Sequence, residues 1–202
     1  MRTSEHIQCL DFPCGDVDTT RYTVPGIELD PARVGILMVA EAPPPDAADD
    51  FYAEGEPFYL QTTLQAFQQA GVKAASMRDL LDRGVYITTA VKCGKTGYGL
   101  ATATVKNCAR LLEQEMALFP NLRAIMLMGD VAIKAMVDIA KRQTGQRLIP
   151  SGATYKVREG QYAYRGVRVF PTYLMTGKSF LIEKSKQAMI AADIGAALAL
   201  LD

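Results

Sequence analysis

The sequence predicts an α/β protein: a three-layer α/β/α sandwich around a central, mainly parallel four-stranded sheet, with a β-hairpin before the last strand. Two observations carry that prediction. Four runs of strand length are almost continuously apolar, VGILMVA (34–40), VYITTAVK (85–92), RAIMLMG (123–129) and VRVFPTYL (167–174), and such runs suit strands covered on both faces. Segments with helical spacing lie between them, the alternation that builds a parallel sheet through crossover connections. No repeat, low-complexity tract or linker divides the chain, so residues 1–202 are expected to form one domain.

The elements follow in order. A coil-like N-terminal stretch carrying two cysteines precedes the first strand. Helical patterns are predicted at about 60–71, 102–118 and 130–142, and a last one closes the chain at about 181–201. In GDVAIKAMVDIAKR, Asp130 follows a glycine and precedes apolar residues at helical spacing, as an N-cap residue would. ATYKVREGQYAYRGVRVF alternates on either side of Glu159-Gly160, which predicts a hairpin turning there and running into the fourth strand.

At 202 residues and 49% hydrophobic content, the chain can bury a substantial core. The N-terminal stretch lacks the apolar segment of a secretory leader and no later run has membrane-spanning length, so a cytoplasmic protein without membrane contact is expected. Net charge is zero but segregated: residues 1–60 hold 3 basic and 12 acidic side chains, residues 61–202 hold 19 and 10. The basic remainder could face a polyanion with the acidic portion turned away, or the segregation could cancel in three dimensions.

Ligands of open parallel sheets bind beyond the carboxyl ends of the strands. That places the candidate site among residues 41–58, 88–108, 129–130 and 173–180. The cysteines fall as two pairs, Cys9 with Cys14 and Cys93 with Cys108. On spacing alone they could be zinc or iron-sulfur ligands or plain thiols, with disulfides disfavoured in a cytoplasmic chain. Cys93 ends a strand and Cys108 opens the following helix, so the loop between them returns toward its origin and a metal site there would pin two irregular segments to the sheet.

Taken in order, these regions resemble the uracil-DNA glycosylase superfamily, and within it the family 4 type branch that carries a 4Fe-4S cluster. VAEAPPP is similar to the family's Gly-Glu-Ala-Pro-Gly motif at Glu41, Ala42 and Pro43. GEPFY (55–59) is similar to its Gly-Arg-Pro-Phe element, and ITTAVKC to its Ile-Thr-Asn-x-Val-Lys-Cys strand. LMGDVAIKAM resembles its Leu-Gly-x-x-Ala helix start, and VFPTYL the approach to its His-Pro-Ser motif.

The resemblance implies hydrolysis of the N-glycosidic bond of an extruded uracil or other altered base in single- or double-stranded DNA, by a monomer. It implies a 4Fe-4S cluster on Cys9, Cys14, Cys93 and Cys108, zinc being the alternative. Glu41 becomes the catalytic carboxylate with Asp46 as a second water-positioning candidate. Phe58, Thr89, Tyr173 and Leu174 fall at base-binding positions, and Lys95, Lys178 and Ser179 are available to the DNA backbone.

Three departures stand out. Thr89 replaces the family's asparagine, exchanging an amide for one hydroxyl. Pro44 replaces the glycine closing the first motif and removes an N–H. Leu174 replaces the motif histidine, so anion stabilisation falls to Lys178, Thr176 or Tyr173; the chain's one histidine is His6. These departures leave a second reading, a non-catalytic iron-sulfur module binding nucleic acid or nucleotides, and a third in which the cluster serves redox sensing.

Overall fold

The structure is a computed structural model that describes residues 1–201, apart from the side chains of Lys178 and Ser179. Seven strands and seven α-helices are formed among these residues: β1 (Val17–Asp18), β2 (Ile36–Ala40), α1 (Phe58–Gln69), α2 (Met77–Asp82), β3 (Val85–Thr89), β4 (Gly94–Lys95), α3 (Thr102–Ala117), β5 (Ala124–Met128), α4 (Asp130–Thr144), α5 (Thr154–Val157), β6 (Tyr162–Tyr164), β7 (Val167–Thr172), α6 (Lys178–Ile182) and α7 (Lys184–Leu198).

The main sheet has five strands in the order β3-β2-β5-β7-β6. β2 pairs in parallel with β3 and β5, and β5 with β7, while β6 pairs antiparallel at the edge. The four expected strands are therefore present and parallel, and the hairpin arm supplies the fifth. Every residue of β2, β3 and β5 is buried. The unbroken apolar runs of β2 and β5 follow from helices covering both faces, and the threonines that end β3 are buried with them. α3 packs on α4, and α1 on α7. From β2 the chain moves outward to β3 and then back across to β5, so right-handed crossovers place α1 and α3 on opposite faces.

Three local expectations change. The hairpin turns at Arg165-Gly166, not at Glu159-Gly160: Tyr164 pairs with Val167 across a two-residue loop whose φ values are 50° and 82°. Such a turn needs left-handed backbone at both positions. Residues 154–157, read as part of the hairpin's first arm, instead form α5. Asp130 is the first helical residue of α4 rather than its cap; the cap position is Gly129, with φ 92° and no side chain to accept from the helix. α2 was not anticipated, although its capping box, Ser76 Oγ accepting from Asp79 N–H with Asp79 accepting in return, was present in the sequence.

The N-terminal segment is tied down rather than loose. β1 pairs antiparallel with β4, just past Cys93. Thr3 is fully buried, its hydroxyl 2.8 Å from that of Tyr86 on β3. No helix of the described residues is long and apolar enough to cross a membrane.

Candidate active site

The sheet order reverses between β2 and β5, and an open α/β sheet parts there beyond its strand ends. Glu41 follows β2 and Gly129 follows β5, so both stand at that switch point. A Cβ on Gly129 would lie 3.1 Å from Glu41 Oε1, and its φ of +92° also favours glycine. The glutamate carboxylate consequently packs on the backbone that starts α4, where the helix end presents positive potential.

Glu41 opens onto a cleft of about 1130 Å³, lined by the segments after β2, β3, β5 and β7, with further walls from α4 and α7. Lys95 Nζ donates to Glu41 Oε2 at 3.4 Å, both side chains being about one-quarter exposed. Tyr59 lines the cleft near them. Its ring meets Phe51 edge-on at 5.5 Å, and burial, reinforced by Asp49, Glu41 and Asp50, holds its phenol above the ordinary value and therefore neutral.

Tyr173 and Leu174 both line the cleft as expected, and so does the buried Thr176. Lys186 of α7 adds a cation that sequence reasoning missed: it lines the cleft, its Nζ lies 5.3 Å from the Tyr173 ring centroid, and it donates to Glu183. Residue 186 belongs to no motif, and only the return of α7 past β7 brings it to the strand ends.

Other predicted residues fall elsewhere. Asp46 is exposed and does not line the cleft; its Oδ1 caps a short turn by accepting from Ala48 N–H at 2.9 Å. Phe58 is the first residue of α1 and is not on the cleft wall, because successive helical residues point about 100° apart and Tyr59 takes that direction. Thr89 is buried under the floor, its carbonyl accepting from Lys92 Nζ at 2.7 Å. The side chains of Lys178 and Ser179 lie outside the described residues.

Ten charged residues line the cleft, six basic and four acidic, and Glu41 alone comes from the acidic first 60. All four acids have basic partners: Glu41 with Lys95, Asp130 with Lys134, Asp138 with Arg142 and Glu183 with Lys186. Among the described residues Lys106, Lys141 and Arg147 have no carboxylate within 4.0 Å, so the surplus charge of the walls is positive.

The cysteines converge at the neighbouring corner. Cys93 and Cys108 are buried, Cys9 and Cys14 half-buried. Burial pushes the Cys93 thiol up to about 12, with Cys108, Cys9 and Cys14 each adding to the rise. Asn107 Nδ2 approaches Cys14 Sγ at 3.6 Å. Among the described residues no group of three or more His, Cys, Asp or Glu is gathered as ligands of a single metal ion.

Residues 27–190 match the sequence profile of the Uracil DNA glycosylase superfamily. A type-5 uracil-DNA glycosylase of Thermus thermophilus is 27% identical over 100 residues, covering 50% of this chain and 46% of that protein. The chain thus matches under half of that relative's length. The crystal structure of the wild-type UNG of Nitratifractor salsuginis aligns over 84% of this chain and 75% of its own, at 13% identity and a TM-score of 0.38.

Proposed function

The chain belongs to the uracil-DNA glycosylase superfamily, and from that membership we propose that it hydrolyses the N-glycosidic bond of an extruded uracil or other deaminated base in DNA. The observation that carries this reading is Glu41 at the sheet's switch point, in an open cleft, paired with Lys95 and backed by the start of α4. Bond cleavage leaves a cation-like sugar and an anionic base. Glu41 is suited to the sugar side, where it stabilises positive charge and orients water. Tyr59 supplies an aromatic wall for the base. Tyr173, Thr176 and Lys186, on the wall that includes Leu174, take over the donor and cationic roles of the family's histidine. Asp46, Phe58 and Thr89 act indirectly, through loop, helix and floor.

The basic lip supports DNA, single- or double-stranded, as the partner, and a cytoplasmic monomer is proposed with it. The 4Fe-4S branch is proposed from the family resemblance and from the mutual influence of Cys93 with Cys9, Cys14 and Cys108, whose four thiols would be the ligands, zinc being the alternative. When bound, the cluster clasps the N-terminal segment to the sheet corner. A core running from Val17 to Ala197 supports residues 1–202 as one domain.

The test is base release from oligonucleotides carrying uracil, hypoxanthine, xanthine or thymine mismatches, using anaerobically purified protein and Glu41→Gln. Release abolished by the substitution establishes the reading and names the base. Silence on every substrate, with DNA binding retained, overturns it in favour of the non-catalytic module, the reading that Leu174 on the cleft wall favours.

A further inference from the structure

The loop from Lys95 to Thr102 is clamped at its stems and free at its tip. Asp16 holds both stems. Its carbonyl accepts from the Thr96 hydroxyl at 2.9 Å, and its carboxylate accepts from Ala101 N–H at 2.6 Å and from the Thr104 hydroxyl. Between these anchors Tyr98 is fully exposed, and Gly97, Tyr98 and Gly99 line the mouth of the cleft.

Neither glycine is needed by the fold. Both lie outside the left-handed region, and a Cβ on either would meet nothing within 4 Å. The Tyr98 ring contributes nothing to the core, and among the described residues its hydroxyl has no hydrogen-bond partner. What the tip does have is position: it lines the cleft together with Lys95 and Lys106. An aromatic side chain between basic residues, on a backbone bare enough for close approach, matches the chemistry of a base face flanked by phosphates.

We propose that Tyr98 is a stacking residue: its ring packs on a base that stays in the DNA strand beside the extruded nucleotide, while Lys95 and Lys106 meet the adjoining phosphates. The inference rests on the glycosylase reading and deepens it by naming a contact outside the base pocket. Full exposure leaves the ring free of packing within the protein, and Asp16 fixes the loop on either side of it.

The experiment uses oligonucleotides with 2-aminopurine on either side of a uracil, titrated with wild type, Tyr98→Ala, Tyr98→Phe and Glu41→Gln. Wild type, Tyr98→Phe and Glu41→Gln should change the fluorescence on one flank. Tyr98→Ala should leave it as in free DNA and bind roughly 5- to 150-fold more weakly, with unchanged thermal stability. Unaltered affinity and fluorescence response in Tyr98→Ala overturn the stacking role, whatever base release shows. A Tyr98-dependent signal from a protein that releases no base leaves stacking standing and removes the glycosylase reading. No DNA binding by wild type removes both.

Discussion

Two lysines three residues apart in the chain, Lys92 and Lys95, each pair with a carboxylate, and the two pairs belong to different worlds. Lys92 Nζ donates to Glu115 Oε2 at 2.5 Å with both side chains wholly buried, and also to Thr88 Oγ1 and the Thr89 carbonyl at 2.7 Å each. Glu115 in turn accepts from the hydroxyls of Tyr86 and Thr88. Lys95 meets Glu41 at 3.4 Å with both groups open to the cleft. Every polar atom of the first pair is committed to holding β3 against α3. The second keeps unused hydrogen-bonding capacity facing a space of ligand size. The same chemistry thus serves architecture in one place and, on our reading, catalysis in the other, and burial separates them.

That contrast is most sharply tested at Glu41. Glu41→Gln should lower base release by about 10²- to 10⁴-fold while leaving the denaturation midpoint unchanged; a loss of stability of the size expected below would erase the distinction. Glu115→Leu should do the reverse, destabilising the protein by about 3–5 kcal/mol in urea titrations because Lys92 is left charged and buried. Adding Lys92→Met to Glu115→Leu should recover most of that loss, since a matched apolar pair removes the stranded charge.

The cysteine corner should respond as a clasp. Cys93→Ser should remove visible absorbance and lower the melting temperature by about 5–15 °C, taking a crosslink-like contribution of about 2–4 kcal/mol. Unchanged stability would deny it a structural role. On the cleft side, Lys106→Ala should reduce the salt dependence of DNA binding by about one counterion, read as the slope of affinity against salt concentration.

The smallest effect concerns Asp16, whose carboxyl is held below its ordinary value of 3.8 chiefly by Thr104 and then by Ala101 N–H. A depressed carboxyl stabilises above the ordinary value and loses that contribution as pH falls through its lowered one. Protection of the Ala101 amide from hydrogen exchange should therefore be full above about pH 4 and fall below it. Asp16→Asn should remove most of this dependence.

The fold was largely legible because burial on both faces leaves a plain mark. β2 and β5, inside the sheet, are apolar at every position, and those runs are visible without coordinates. Glu41 was legible through its motif. Tyr59 was not, because a motif that ends on Phe58 says nothing of which way the first turn of α1 faces. Lys186 was not, because α7 reaches the cleft only by packing on α1 and β7. Asp46 read as a catalytic carboxylate because an exposed loop acid and a turn cap have the same letter. Asn, Asp, Ser and Thr cap through contacts two residues away, and motif reading does not weigh those.

By itself, the sequence determined the four parallel strands, the main helices between and after them and the two-by-two spacing of the cysteines, since periodicity and burial act locally along the chain. Only the tertiary structure decided which carboxylate has a free face, that Lys92 belongs to the interior and Lys95 to the cleft, and that the Tyr98 loop is clamped by Asp16 from 80 residues away. Those outcomes depend on crossovers and on the β1–β4 pairing, where residues distant in sequence meet and exclude water from one lysine while leaving it to the other.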